Sequence, residues 1–257
     1  MKSFKHSGTM GDLVYSLALM KNQGGGDFYL HMNNIDWIAS KYYNTRPLPF
    51  HQGRMNQQDF DFMKDFMLAQ EYITDFQAFV PNQTNITDDL DKFRPLFVGH
   101  PGNYVDIYAS IYGIKDPNAL ASLRNNPWLS VPNPKVLDGI EFIVNRTERW
   151  VNPNPHYAYA QWKEEGVDLK SVFVGLKSEY DRFISQTGWR CEFYPTTNML
   201  ELAEVIAGAE HFIGNQSQCL AMAIGLGTPW ICEARQDLPK ERNECYFPDH
   251  PQGGYLE

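Results

Sequence analysis

Short apolar runs alternate along the chain with segments whose apolar residues recur at helical spacing. The first run, Ser3–His6, predicts a strand, and Leu13 and Leu17 predict the helix that follows it, which ends at the glycines of residues 24–26. Residues 27–31 then predict a second strand. Strands that alternate with helices are typical of a parallel, doubly wound α/β sheet.

The same alternation predicts further elements in both halves of the chain. In the first half they are helices over 59–72 and 103–112 and a strand over 96–99. In the second half the strands cover 140–144, 171–175, 211–214 and 229–233, and the helices cover 157–165 and 217–224, with one more helix through Tyr180 and Ile184 and another that starts at Asn198. The polar sequence after Ala234 allows no assignment.

A proline-rich segment separates the two series of elements. Residues 125–134 include three prolines within eight residues, and proline is excluded from regular helices and central strands. We therefore predict a linker here, joining one unit over 1–130 to a second over 131–257. The 257 residues are enough for one large domain or two small ones.

Composition narrows the classes of function. The formal net charge of −9 disfavours proteins that bind nucleic acids or membrane surfaces through a positive field. No apolar run approaches the roughly 18 residues of a spanning helix, and the N-terminus lacks a signal-peptide core. The four cysteines form no C-x-x-C pair, and no histidine completes a metal-binding spacing. We expect reduced thiols, a cytoplasmic location, no membrane span, and neither a metal nor a cofactor.

The first strand leads into a glycine-bracketed turn over residues 7–11, which is followed by Asp12. Gly8 and Gly11 allow a positive φ or a close approach of the backbone to a ligand. Asp12 falls in the first turn of the predicted helix, where a carboxylate complements the helix dipole by ~0.3–1 kcal/mol. The same position suits a general base that faces a cleft. The spacing fits both interpretations.

A second strand–turn–helix lies near the C-terminus. Its strand ends at Gly214, and Asn215, Gln216 and Ser217 then open an apolar helix. The start of a helix offers unpaired N–H groups and a partial positive charge, so it can hold a diphosphate. The simpler interpretation is that Asn215 or Ser217 only caps the helix, and capping is compatible with phosphate binding.

Charged and polar residues follow other predicted strands. Arg146 and Arg149 follow the strand over 140–144, where they either clamp a phosphate or belong to a solvated loop. Glu179 follows Gly175 and either accepts ribose hydroxyls or simply occupies the first turn of a helix. His100 lies in a predicted loop, where it either meets a ligand or stays a surface histidine.

These residues together form a familiar pattern. The sequence Ser7-Gly8-Thr9-Met10-Gly11-Asp12 resembles the opening of glycosyltransferase family 9, the ADP-heptose:lipopolysaccharide heptosyltransferase group. The stretch from Leu200 to Trp230 resembles the donor-binding region of that family, with its small polar turn and its Gly-x-Pro ending. The turn departs from the family pattern, since residues 215–217 replace its aspartate, Ser/Thr and glycine, and Leu220 stands near its histidine.

The resemblance implies the GT-B architecture, two Rossmann-like parallel-sheet domains that face a cleft. It implies metal-independent, inverting transfer of a sugar from a nucleotide-diphosphate sugar to the hydroxyl of a glycan or another acceptor, with Asp12 as the base. Residues implied on the acceptor side are Ser7, Gly8, Thr9, Gly11 and His100. Residues implied on the donor side are Arg146, Arg149, Gly175, Glu179, Asn215, Gln216 and Ser217.

Two other functions fit the same residues. One is a nucleotide-sugar epimerase or hydrolase of GT-B type, which would act without an acceptor. The other is a non-catalytic module that binds nucleotide sugars and tolerates loss of Asp12. A DNA base as acceptor is disfavoured by the acidic net charge. The identity of the sugar, the nucleobase and the acceptor, and the oligomeric state, stay open at this point.

Overall fold

The computed structural model describes residues 1–32, 55–93, 96, 103–148, 151, 157–233, 247 and 250–256. Within these residues the chain forms two separate parallel sheets with helices packed on them. The predicted α/β class with two parallel sheets is confirmed. No described helix combines the length and the apolar character needed to cross a lipid bilayer.

The first sheet is built from four strands. The elements of this half are β1 (Ser3–His6), α1 (Met10–Asn22), β2 (Gly26–Leu30), α2 (Gln57–Leu68), β3 (Ile73–Ala78), β4 (Asp88–Asp89), α3 (Tyr104–Ile111) and α4 (Pro117–Asn125). The strand order is β3-β2-β1-β4. Phe4 pairs with Phe28 of β2 on one side and with Asp88 of β4 on the other, so β1 is central.

The second sheet is built from six strands. Its elements are β5 (Phe142–Asn145), α5 (Tyr157–Glu164), β6 (Ser171–Phe173), α6 (Lys177–Thr187), β7 (Glu192–Phe193), α7 (Met199–Ala207), β8 (His211–Asn215), α8 (Gln218–Leu226), β9 (Trp230–Glu233) and β10 (Gly253–Leu256). The strand order is β10-β9-β8-β5-β6-β7. Val144 pairs with Phe173 of β6 and with Ile213 of β8, which places β5 at the centre.

Both sheets change direction at a central strand. The chain proceeds from β1 to β2 and β3 on one side, and β4 then adds on the other side of β1. It proceeds likewise from β5 to β6 and β7, and then β8 adds on the opposite side. Ligands of open α/β sheets bind outside the carboxyl ends of the strands at such a switch point. The two turns singled out in the sequence follow β1 and β8, so both lie at switch points.

Several elements differ from the predictions. The strands β3, β4, β7 and β10 and the helix α4 were not predicted. Of the strand predicted over 96–99, residues 97–99 lie outside the described residues, and Leu96 is helical. The unpredicted strands β4 and β7 have only two residues each, too few for a periodic pattern, and they exist because a neighbouring strand supplies their hydrogen bonds.

The proline-rich segment predicted as a linker packs against helices of both halves. Trp128 and Leu129 are buried, and their backbone N–H groups both donate to the carbonyl of Gly225 in α8 at 2.9 Å. The indole of Trp128 donates to the carbonyl of Val14 in α1 at 3.0 Å. A Cβ on Gly225 would lie 2.7 Å from Leu129 Cδ1, so glycine is needed for this contact. One apolar core therefore continues from α1 to α8, and the division at residue 130 stays a prediction.

Candidate functional site

The turn after β1 is held by side chains of its own half. Ser7 donates from both its backbone N–H and its hydroxyl to the carboxylate of Asp91, with the Ser7 Oγ to Asp91 Oδ1 distance at 2.8 Å. Asp91 follows β4, on the other side of the switch point. Lys5 lies 2.9 Å from Asp89 and 3.5 Å from Asp91. The carboxylate of Asp91 is thus shared between a serine and a lysine, and it fixes where the turn begins.

The glycines of this turn differ in what they require. Neither Gly8 nor Gly11 has a positive φ, contrary to one of the two expectations. A Cβ on Gly8 would lie 2.4 Å from His6 Cε1 and 2.8 Å from Asp12 Oδ2, so only glycine fits there. A Cβ on Gly11 would make only ordinary contacts. The need for glycine at position 8 therefore comes from the close approach of two side chains to the backbone. Backbone conformation does not require glycine at position 8 or at position 11.

Asp12 is the third residue of α1 and is partly exposed. Its Oδ2 accepts the backbone N–H of Thr9 at 3.1 Å, so the carboxylate does contribute to capping the helix. An ionised carboxylate has about four acceptor positions. One capping bond therefore leaves acceptor capacity for a proton, and the structural and catalytic interpretations of Asp12 are compatible.

The turn after β8 is anchored by Asn215. Its side-chain oxygen accepts the backbone N–H of Thr147 at 2.9 Å, and its side-chain nitrogen donates to the carbonyl of Thr147 at 3.1 Å. This reciprocal pair joins the loop after β5 to the end of β8. Asn215 is fully buried. Within the predicted donor site, its side chain therefore supports the turn from below.

The residues after Asn215 combine a satisfied cap with unsatisfied amides. Ser217 caps α8, because its hydroxyl accepts the backbone N–H of Leu220 at 3.2 Å. Gln216 is 5% exposed, and neither its amide oxygen nor its amide nitrogen has a hydrogen-bond partner among the described residues. The side-chain nitrogen of Gln218 is likewise buried without a described partner. Buried amides at a helix start require partners, and a ligand can supply them.

The two turns meet at one place. A Cβ on Gly11 would lie 3.8 Å from both the backbone nitrogen and the Cα of Gln218, so the first turn of α1 contacts the first turn of α8. The helices themselves offer no acceptor for their first N–H groups. Two partial positive charges of about half an elementary charge each therefore converge beside Asp12.

Gly175 and Glu179 form a third part of the same region. Gly175 has φ +116°, and a Cβ on it would lie 2.5 Å from Asn145 Nδ2 and 3.2 Å from Glu179 Oε2. Glu179 accepts the backbone N–H of Leu176 at 3.2 Å. Burial and the negative charge of Glu179 raise the pKa of the Cys219 thiol in the first turn of α8. Glu179 therefore faces the start of that helix, as a residue of the donor site would.

Comparison of the sequence with protein-family models and with the curated proteins finds no match. The structure is similar to a glycosyltransferase of family 9 from Veillonella parvula, with 13% identity, 99% of this chain and 85% of the other covered, and a TM-score of 0.55. It is also similar to the iron-containing dodecameric glycosyltransferase TibC of enterotoxigenic E. coli, with 14% identity, 98% and 61% covered, and a TM-score of 0.53.

The chain shares its fold with these two glycosyltransferases. The GT-B architecture expected from the resemblance is thereby confirmed.

The guanidinium of Arg146 is buried and bonded to side chains of its own half. It is 3% exposed, and its Nε and Nη2 donate to the two oxygens of Glu233 at 2.7 and 2.9 Å. Nη1 donates to Gln186 at 2.7 Å. Burial disfavours the charged guanidinium, but the hydrogen bonds and negative charge of Glu233 outweigh it and raise the pKa of Arg146. Arg146 thus ties β5 to β9 as part of the scaffold.

Glu233, the last residue of β9, is enclosed by the same pair. It is 1% exposed, ion-paired with Arg146, and accepts a hydrogen bond from the hydroxyl of Tyr159 at 3.1 Å. Burial and the charge of Glu233 raise the pKa of Tyr159, so that phenol stays protonated. Arg149 and His100 lie outside the described residues, and their assigned roles stay predictions.

Sequence reasoning missed the partners that hold the first turn. His6 and Asp91 accept hydrogen bonds from it, and Tyr108 is hydrogen-bonded to His6. None of the three stands in the glycine-rich motif itself. His6 precedes the turn directly, and a histidine at the buried end of a strand was the available signal. Asp91 is 84 residues away from Ser7, and no local pattern indicates it. In the described part of the chain, no three His, Cys, Asp or Glu side chains are grouped as metal ligands.

Proposed function

We propose that this protein is a glycosyltransferase that moves a sugar from a nucleotide-diphosphate sugar to an acceptor hydroxyl. The observation that carries the proposal is the meeting of the α1 and α8 N-termini at Gly11 and Gln218, with Asp12 in the first turn of α1. A general base beside an anion site is the arrangement that sugar transfer with a diphosphate leaving group requires.

The diphosphate of the donor binds at the two helix N-termini. Backbone N–H groups in the first turn of α8 donate to phosphate oxygens, and the dipoles of both helices favour the negative charge. The unpaired amides of Gln216 and Gln218 supply further donors. Their oxygens and nitrogens can also pair with sugar hydroxyls, which both donate and accept. Glu179, beyond the start of α8, accepts hydroxyls of the nucleoside.

The transfer step follows from the position of Asp12. The acceptor hydroxyl lies between this carboxylate and the anomeric carbon of the donor. Its oxygen attacks that carbon while its proton passes to Asp12, and the bond from the carbon to the diphosphate oxygen breaks. The electron pair stays on the nucleoside diphosphate, whose charge the helix N-termini stabilise without a metal. A single displacement of this kind inverts the anomeric configuration.

The proposal places the acceptor against the first unit, 1–130, and the donor on the second, 131–257. It makes no use of Arg146, whose guanidinium is occupied by Glu233. The buried free thiols of Cys191 and Cys219 support a reducing compartment, and we therefore place the activity in the cytoplasm. Cys245 lies outside the described residues.

The first test is a thermal-shift and calorimetry screen against ADP-, UDP-, GDP-, TDP- and CMP-sugars, followed by an assay for release of the free nucleotide. We expect one nucleoside diphosphate sugar to bind, and its turnover to depend on an added hydroxyl acceptor and to persist in EDTA. Turnover without acceptor would favour the epimerase or hydrolase. Binding without turnover under any acceptor would favour the binding module, and no binding by any donor would reject the site.

A further inference from the structure

His6 is buried beneath the first turn, and the transfer step described above makes no use of it. The side chain has no exposed surface. Its Nδ1 accepts the backbone N–H of Gly8 at 2.8 Å, and its Nε2 lies 2.6 Å from the hydroxyl of Tyr108. Because Nδ1 is an acceptor here, the hydrogen-bond network assigns the proton of the neutral imidazole to Nε2, which donates it to Tyr108.

The imidazole and the proposed base approach the same backbone atom. A Cβ on Gly8 would lie 2.4 Å from His6 Cε1 and 2.8 Å from Asp12 Oδ2. The imidazole and the carboxylate therefore both occupy the space beside the Cα of Gly8. The next residue, Thr9, donates its backbone N–H to the same Asp12 oxygen at 3.1 Å. Tyr108 is thus hydrogen-bonded to His6, and His6 to the N–H of Gly8. The backbone joins Gly8 to Thr9, whose N–H is hydrogen-bonded to the carboxylate.

Aromatic packing fixes the imidazole from its other side. The ring of His6 stacks on Phe93, with 5.8 Å between centroids and 13° between planes. Phe93 in turn contacts the ring of Tyr108 at 4.8 Å. Phe93 and Tyr108 belong to other elements of the first half, so their contacts hold the imidazole in one orientation. The hydrogen bond from Gly8 transmits that orientation to the turn.

We propose that His6 is a positioning residue for Asp12. By accepting the N–H of Gly8 it holds the Ser7–Gly8 peptide, which fixes where the next peptide lies. The N–H of Thr9, in that next peptide, then directs the carboxylate toward the acceptor hydroxyl. The inference rests on the proposed function of Asp12 as the base. Small displacements of a reacting group have large effects on rate, which gives a residue of this kind a measurable role.

Two substitutions separate the hydrogen bond from the volume of the ring. In His6→Asn the side-chain oxygen stands the same number of bonds from Cα as Nδ1, so it can accept the N–H of Gly8. In His6→Gln the polar atoms stand at the distance of Nε2, so the contact with Tyr108 is retained and the one with Gly8 is lost. His211→Gln is the control, because His211 is a partly buried, ring-stacked histidine at the opposite end of the second sheet.

The first readout needs no ligand. Amide hydrogen exchange is measured for Gly8 and Thr9, with Leu17 in the core of α1 as the reference for global unfolding. We expect exchange at Gly8 and Thr9 to become about tenfold faster in His6→Gln and to stay near wild type in His6→Asn and His211→Gln. Exchange at Leu17 should not change in any of them.

The second readout is transfer, followed with the nucleotide sugar of the panel that supports turnover. We expect kcat to fall about tenfold in His6→Gln, with little change in the KM of the donor, and to recover in His6→Asn. In an Asp12→Asn background, His6→Gln should cause no further loss, because the residue acts through Asp12.

The outcomes distinguish this inference from the proposed function. Unchanged exchange and transfer in His6→Gln, equal losses in His6→Gln and His6→Asn, or a full additional loss in the Asp12→Asn background would each overturn the positioning role. Near wild-type transfer by Asp12→Asn alone would instead reject Asp12 as the base, and the inference would fall with it.

Discussion

The two turns at the candidate site have the same construction, but they differ in how their polar groups are satisfied. In the turn after β1, the side chains of His6, Ser7 and Asp12 all have protein partners. In the turn after β8, Ser217 caps its helix, whereas the amides of Gln216 and Gln218 keep buried atoms without described partners. The difference agrees with the roles we propose, in which the first turn positions a reacting group and the second turn binds a ligand.

The largest effect that would test this comparison is expected for Asp12→Asn. The variant keeps the shape and the cap but cannot accept a proton, so we expect the transfer rate to fall by roughly 10²–10⁴ while donor affinity changes little. Steady-state kinetics with calorimetry of donor binding will measure both.

The chain offers a close control for that variant. Asp59 is also the third residue of a helix, and its Oδ2 accepts the backbone N–H of Asn56 at 2.9 Å. Asp59→Asn should match Asp12→Asn in its stability cost of ~0.3–1 kcal/mol and leave transfer unaffected. If both variants transfer sugar at the wild-type rate, Asp12 only caps α1.

The second effect concerns the scaffold beneath the second turn. Glu233→Gln leaves the buried guanidinium of Arg146 without a counter-charge, so we expect the free energy of unfolding to fall by about 3–5 kcal/mol in denaturant titrations. Glu148→Gln is the control, because Glu148 pairs with Arg182 at 3.4 Å on the surface and should change stability by less than about 1 kcal/mol. A stable Glu233→Gln protein with tighter nucleotide binding would return Arg146 to the phosphate site.

The third effect places a charge in the proposed diphosphate site. Ser217→Asp retains a good N-cap for α8 but opposes a bound diphosphate, so we expect donor binding to weaken by about 1–3 kcal/mol in calorimetry. Asn198→Asp makes the matching change at the cap of α7, where the side chain of Asn198 accepts the N–H of Glu201, and donor binding should not change. Equal affinities in both variants would place the diphosphate elsewhere.

The smallest effect addresses the unpaired amide directly. Gln216→Leu removes a buried polar group that has no described partner and keeps similar volume, so we expect the ligand-free protein to become more stable by about 1 kcal/mol. The same variant should bind the donor more weakly. A loss of stability without any loss of donor affinity would mean that Gln216 has a partner within the protein, and the contrast between the turns would disappear.

Much of the architecture could be predicted from local pattern. The strand β1, the helix α1 and, apart from β7, the series from β5 to β9 follow from apolar periodicity, caps and glycine stops, because those signals act over a few residues. The two-residue strands and β10 escaped prediction, since their formation depends on a neighbouring strand that is distant in sequence. The prolines predict a linker but not its packing, and tertiary contacts bury Trp128 between α1 and α8.

The candidate site divides in the same way. The sequence by itself determined the two strand–turn–helix motifs, a polar cap at Asn215 or Ser217 and the place of Asp12 in its first turn, because each depends on bonds within three or four residues. Only the tertiary structure decided which polar groups remain for a ligand. In the folded chain Arg146 is bonded to Glu233, and the buried amide of Gln216 has no described partner. The physical reason is that a side chain's partners come from strands and helices that the fold brings together from far along the chain.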